Sequence, residues 1–278
     1  MRSTVAAALA AAFAMAGTPS AHASFHQMQI EQVIAGVNGD VERQAIQLRM
    51  REPAQDQLFN GELRAYDANG ENPVVLLNFP AAVDNSAIGD RILVSSAKPV
   101  TDPLLLPDFL LDALIPESYL DAGRLTFETH GGLVYWSLCW GGAAYTGPTF
   151  GANTNTVEED NGEFGPCIDG PLTTRTREAV LFDGAATDFS TGNADDYVAT
   201  TGPATFTNNA GYAISVHPLS TFAALTGLTA SGNGAGRDAT DERSKAVMSL
   251  QKIPTPELLN QALAAARRRA DRGTQVGV

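Results

Sequence analysis

Residues 123–142 read GRLTFETHGGLVYWSLCWGG and carry the strongest hairpin signal in the chain. Leu125 and Phe127 alternate with Thr126 and Glu128; beyond His130-Gly131-Gly132, Val134, Trp136, Leu138 and Trp140 alternate with Tyr135, Ser137 and Cys139. Side chains on a strand point to opposite faces in turn, so each half presents one apolar face, and the glycine pair supplies a tight turn between them. The stretch holds both tryptophans and one of two cysteines. Trp136 and Trp140 share the parity of Val134 and Leu138, which predicts that both rings are core. Tyr135, and Tyr145 just beyond, are the candidate ligand-contacting aromatics, because sugars stack on exposed rings.

Working outward, the same pattern recurs. MQIEQV from Met28 and QAIQLRM from Gln44 each alternate apolar with polar residues, with Asn38-Gly39-Asp40 as turn chemistry between them. Glu62 to Tyr66, the turn Asp67-Ala68-Asn69-Gly70 and PVVLLNF from Pro73 repeat it, and RILVS from Arg91 follows Gly89-Asp90. Short strands at regular, turn-punctuated spacing predict an all-β antiparallel sandwich. In residues 102–120 prolines at 103, 107 and 116 flank an apolar cluster, Phe109 to Leu114, at helical spacing; a loop holding one short inserted helix is expected. REAVLF from Arg177 and YAISV from Tyr212 read as the last strands, and the turn-rich segment between them is expected to lie across the sheet.

Composition agrees with this class. Of 278 residues 44% are hydrophobic, enough for a real core, and only 18% are charged, which suits a turn-rich β-protein better than a helical bundle. Past residue 23 the chain carries 17 basic against 31 acidic side chains, a net of −14 that repels phosphate backbones and argues against nucleic acid as a partner of the main body.

Residues 1–23 have Arg2 as their one charge, an apolar run from Val5 to Ala16, and Ala21-His22-Ala23, the small-x-small pattern cleaved by signal peptidase. That run of about 12 residues is well short of the roughly 20 needed to span a bilayer, so a signal peptide and a mature start at Ser24 are expected, with a secreted or periplasmic product. In an oxidising compartment Cys139 and Cys167, the chain's only cysteines, are expected to form a disulfide.

The succession IEQV, QAIQLRM, GELRAYDANGENPV, GDRILV and GRLTFETHGGLVYWSLCWGG, spanning about residues 28–142, resembles the lamin-tail-like domain of secreted bacterial proteins. Ile46 and Leu48, Gly89-Asp90, and the aromatic strand ending in Trp140-Gly141-Gly142 are its most telling pieces. The resemblance implies an immunoglobulin-like β-sandwich acting as a structural or interaction module, with no chemistry of its own. Gln47 stands where the family usually has an acidic residue, and residues 102–120 are an insertion.

The sandwich domain is assigned to residues 24–218, with extended loops. Glu158, Glu159, Asp160 and Glu163 gather carboxylates in one loop, but not at the D-x-[DN]-x-[DN]-G spacing of an EF-hand, and no metal or cofactor is assigned. A Gly-rich linker with a marginal helix is expected over residues 219–253. A C-terminal amphipathic helix and tail over 254–278 follows, opened by Thr255-Pro256-Glu257 and closed by arginines.

Common hydrolase, nucleotide and metalloprotease motifs are missing, so no catalytic residue is named. The chain reads as a non-catalytic extracellular interaction module whose partner is a protein or a polysaccharide. A carbohydrate-binding β-sandwich and a carboxylate-based hydrolase are the alternatives. Exposed tryptophans would mark the first of these, and a cleft with two facing acids the second.

Overall fold

A computed structural model describes residues 25–101, 105–151 and 162–216. The signal peptide, the linker, the C-terminal helix and residues 158–161 of the acidic loop lie outside the described residues.

The chain is all-β. Its strands are β1 (Met28–Ile34), β2 (Ala45–Met50), β3 (Gly61–Tyr66), β4 (Val74–Asn78), β5 (Arg91–Ser95), β6 (Phe109–Leu110), β7 (Gly123–Thr129), β8 (Val134–Trp140), β9 (Val180–Phe182), β10 (Tyr197–Ala199), β11 (Thr205–Thr207) and β12 (Ala213–Ser215). A larger sheet runs β10-β9-β1-β2-β5-β6, a second β4-β3-β7-β8, and β11 and β12 form a separate hairpin. Pairings between these strands are antiparallel except that of β5 with β6. The turn between β1 and β2 closes at Asn38 and Gly39, both with φ above zero (+52° and +88°), a conformation that asparagine and glycine adopt most readily.

Alternation explains how the sheets meet. Ile30, Val33, Ile46, Leu48, Ile92 and Val94 of the larger sheet share one apolar cluster with Leu63, Leu125, Phe127, Trp136, Leu138 and Trp140 of the smaller. Each of these side chains is essentially sealed from solvent, so each contributes on the order of 1.5–3 kcal/mol by burial. Both tryptophans are core, as their parity predicts. The larger sheet is unusual in burying its other face too: Ile34, Ala45 and Leu93 meet Phe206 and Val216 from the β11–β12 hairpin in a second cluster.

One expectation is overturned. Phe109 to Leu114 form no helix: Phe109 and Leu110 are β6, while Asp112 and Ala113 both donate their N–H to the Leu76 carbonyl of β4. Between Pro107 and Pro116 a helix would have to nucleate in about two turns, whereas β5 offers an open edge whose backbone groups need partners. Gln44 completes the attachment, its amide exchanging bonds of 3.0 and 2.8 Å with the carbonyl and N–H of Ile115. Among the described residues a short α-helix, α1 (Asn193–Asp196), lies elsewhere.

Candidate functional site

On the outer face of the larger sheet the strand pattern breaks once, with a direct consequence. Ile30 pairs with Leu48, but the next pair is Gln32 with Gln47, leaving Glu31 as the extra residue of a β-bulge. A bulge re-aims the side chains around it. Here it sets Glu31 and Gln32 together on the outer face, beside Gln47 and Arg49 of β2 and Arg91 of β5.

Arg49 and Arg91 stand directly opposite each other on neighbouring strands, a like-charge pair that is unfavourable by itself. Glu31, 3% exposed, resolves it. Its Oε1 accepts Arg49 Nη1 at 2.9 Å and Arg91 Nη2 at 2.8 Å, while Oε2 accepts Arg91 Nε and Gln47 Nε2, each at 2.7 Å. The Arg91 contact is a two-pronged guanidinium–carboxylate pair, the strongest geometry of its type. The hydrogen bond to Glu31 holds the Arg91 pKa above its ordinary value; burial pushes that of Arg49 down, against the attraction of Glu31. Arg49 is spent internally, on Glu31, on Gln29 and on the Gly184 carbonyl.

The β11–β12 hairpin is fastened beside this cluster by two amides. Gln32 Nε2 donates to the Thr205 carbonyl at 3.1 Å, and Gln47 Oε1 accepts the Thr207 N–H at 2.6 Å. Between hairpin and sheet runs an open groove of about 430 Å³, floored by Glu31, Gln32, Gln47 and Arg91. Thr200, Thr201, Thr205 and Thr207 line its walls, and Pro203 and Leu181 add apolar surface. The Thr200 hydroxyl is bonded to the Ala179 N–H and the Gly202 carbonyl, and that of Thr205 to Ser215. The volume falls within the roughly 300–1,000 Å³ of small-molecule sites. Floor groups this thoroughly bonded are held in place before any ligand arrives.

The outer face of the smaller sheet carries a second polar cluster of different character. Glu62 of β3 is the direct cross-strand partner of Glu128 of β7, and the two are 2% and 0% exposed. Arg64 reaches both, with Nη2 2.6 Å from Glu62 and Nε 3.3 Å from Glu128. Tyr66 and Thr126 hydroxyls donate to Glu128 at 3.0 and 2.6 Å. Burial, with Glu128 adding to it and Arg64 opposing, raises the Glu62 pKa above the usual carboxylate range. Two facing acids are therefore present, but sealed rather than standing in a cleft.

The residues singled out from sequence are placed as follows. Cys139 and Cys167 are joined, with an S–S distance of 2.02 Å, and tie the loop after β8 to the edge of the smaller sheet. Tyr145 packs with this disulfide, is 6% exposed, and donates its hydroxyl to the Pro148 carbonyl at 3.0 Å. Tyr135 is half-buried, edge-on to Phe25 at 5.6 Å and 5.8 Å from the His26 ring. The groove is thus made by neither tyrosine. Of its floor residues only Gln47 was noted from sequence, and not as a binding residue; Glu31, Gln32 and Arg91 were missed, although one signal was available: apolar inward positions at 28, 30 and 33 break strict alternation after Ile30. Gln47, where the resembled family usually has an acid, takes its carboxylate partner from the neighbouring strand.

Fold and site together describe an all-β protein with one disulfide and a pre-set polar groove; among the described residues no helix is long and apolar enough to cross a membrane. No protein-family model matches the chain, and no curated protein matches it.

Proposed function

We propose that this chain is an exported, non-catalytic interaction module, an immunoglobulin-like β-sandwich of the lamin-tail-like kind, and that it binds its partner in the groove over Glu31. The partner is an extracellular or periplasmic protein or polysaccharide. The sandwich reading is supported by two mainly antiparallel sheets sharing one apolar cluster, and export by the residues 1–23 pattern together with the disulfide.

The observation that carries the binding reading is the bulge at Glu31. A bulge disrupts the ladder, and here it exposes nothing apolar in return; what it builds is a fixed row of hydrogen-bonding groups along an open groove. Binding is favoured over hydrolysis because the two facing acids, Glu62 and Glu128, are sealed and tied to Arg64.

Thr201 is exposed on the groove wall and suits a direct test. A photo-crosslinker attached to Thr201→Cys in the full chain, activated in the native medium, is expected to capture a defined protein or glycan. The same label on Thr173→Cys, in a separate surface recess, is expected to capture nothing. Equal capture at both positions, or none at either, overturns the reading.

A further inference from the structure

Resting on the binding reading above, we infer that the groove takes an uncharged sugar chain, held by hydrogen bonds from a pre-set Arg91 fork rather than by stacking on aromatic rings. The reasoning starts with what each floor group has left to offer. Glu31 has both oxygens filled, by Arg49, Arg91 and Gln47. Arg91 spends Nε and one Nη2 hydrogen on Glu31, lines the groove, and keeps 36% of its side-chain surface open, with the remaining N–H groups left as donors. Gln32, which also lines the groove, gives its NH₂ to Thr205 and has its amide carbonyl as an acceptor. Donors and acceptors therefore stand side by side, and the lining residues Thr201 and Thr207 have hydroxyls that can do either. A row of ligand hydroxyls, each able to donate and accept, matches that arrangement.

Charge argues for a neutral ligand. The Arg91 charge is met by Glu31 in a two-pronged pair, and Asp90 and Asp188 add further negative potential at Arg91 and Arg49. Past residue 23 the chain carries a net −14, which repels an acidic polymer. A peptide partner would call for apolar pockets to anchor side chains. The groove offers only Pro203, Leu181 and Ala204 as apolar lining, a strip suited to the C–H face of a sugar ring. Both tryptophans are buried in the core, so the aromatic platform of many sugar sites is not what would bind here.

The test uses the full chain, isotope-labelled, titrated separately with cellohexaose, maltohexaose and mannohexaose, and with hexagalacturonate as the charged comparison. At least one neutral hexaose should shift the side-chain amide signals of Gln32 and Gln47 and the Arg91 Nε–H signal. Its affinity should stay within about twofold between about 0.02 and 0.3 M NaCl, since no net charge is neutralised on binding. Arg91→Lys keeps the charge and loses the planar fork, and should weaken binding by about tenfold or more. Thr201→Trp fills the groove from an exposed position without touching the Glu31 network and should abolish binding with the fold intact. Tighter binding of hexagalacturonate, no response to any neutral hexaose, or unchanged affinity in both variants overturns the assignment. Should the hexaoses fail while the crosslinker at position 201 captures a protein, the sugar assignment falls and the binding-surface reading stands; failure of both removes both.

Discussion

The Trp136 indole N–H donates to the Tyr197 hydroxyl at 2.8 Å, and that hydroxyl donates in turn to the Ile30 carbonyl at 2.5 Å. Trp136 belongs to the smaller sheet, Tyr197 to the edge strand of the larger, and Ile30 directly precedes the bulge that sets Gln32 beside Glu31 on the outer face. A relay of two hydrogen bonds therefore runs from the core to the back of the groove. Burial raises the Tyr197 pKa, so the phenol stays protonated and remains able to donate. Tyr197→Phe keeps the ring and removes both bonds, leaving the buried indole N–H without this acceptor and the Ile30 carbonyl without this donor. The expected cost is about 1–3 kcal/mol in chemical denaturation, accompanied by shifted Gln47 and Arg91 side-chain signals. Loss of stability with those signals unmoved would separate the relay from the groove.

Trp136 also packs edge-on against Phe164 and Phe182, both at 5.5 Å, and lies beneath the Arg51 guanidinium at 5.3 Å from the ring centre. Trp136→Ala empties that space and strands Tyr197. Destabilisation of about 3–5 kcal/mol is expected, read as a lower denaturation midpoint. A variant that melts like the parent while losing retention on a polysaccharide column would instead make Trp136 a surface platform.

How much of this is legible in the chain follows from which forces are local. The β7–β8 hairpin reads cleanly because Leu125, Phe127, Trp136, Leu138 and Trp140 keep one apolar face and glycines mark its turn, although a register shift near the turn pairs Val134 with Glu128 and packs Tyr135 against the core instead. β5 reads cleanly for similar reasons. Residues Phe109 to Leu114 mislead because their apolar spacing fits a helix, while their actual structure is set by the open edge of β5 and the Leu76 carbonyl, partners far off in sequence. The groove is hidden for the same reason. Glu31, Gln47 and Arg91 come from three strands, and only the pairing register brings them together, with the bulge adding Gln32 to the same face. Buried polar residues on the outer face look like solvated ones until the β11–β12 hairpin is known to cover them.

Glu31→Gln removes the carboxylate from between Arg49 and Arg91 and keeps its shape. Two guanidinium groups then face each other across adjacent strands, one of them deeply buried. Breaking a buried ion pair in this way typically costs about 3–5 kcal/mol. Arg91→Lys, which leaves a cation to meet Glu31, should cost clearly less in the same denaturation series. Equal losses would mean that the carboxylate is not what holds the cluster.

Mature protein recovered from outside the cytoplasm is expected to begin at Ser24 and to contain no free thiol, since the cleavage pattern ends at Ala23 and Cys139 is bonded to Cys167. Intact mass before and after alkylation checks both points. Replacing both cysteines with serine should cost about 2–4 kcal/mol, the usual effect of releasing a closed loop. Retention of Met1, or two alkylated thiols, contradicts the export assignment.

Glu62 makes stability depend on pH. Its carboxyl faces Glu128, with Arg64 between them and His130 close enough to be felt, and the net result, led by burial, is a pKa raised above the ordinary 4.5. Between 4.5 and the raised value the folded chain holds a proton that the unfolded chain releases, so stability from this group is fully present below pH 4.5 and is lost as pH rises through the folded pKa. Glu62→Gln carries no titrating group and cannot lose that contribution. The stability difference, variant minus parent, should therefore be more favourable to the variant at about pH 7.5 than at about pH 4.5, measured by urea midpoints at the two values. A difference that grows in the opposite direction would show that Arg64 dominates and that the Glu62 carboxylate is stabilised by folding.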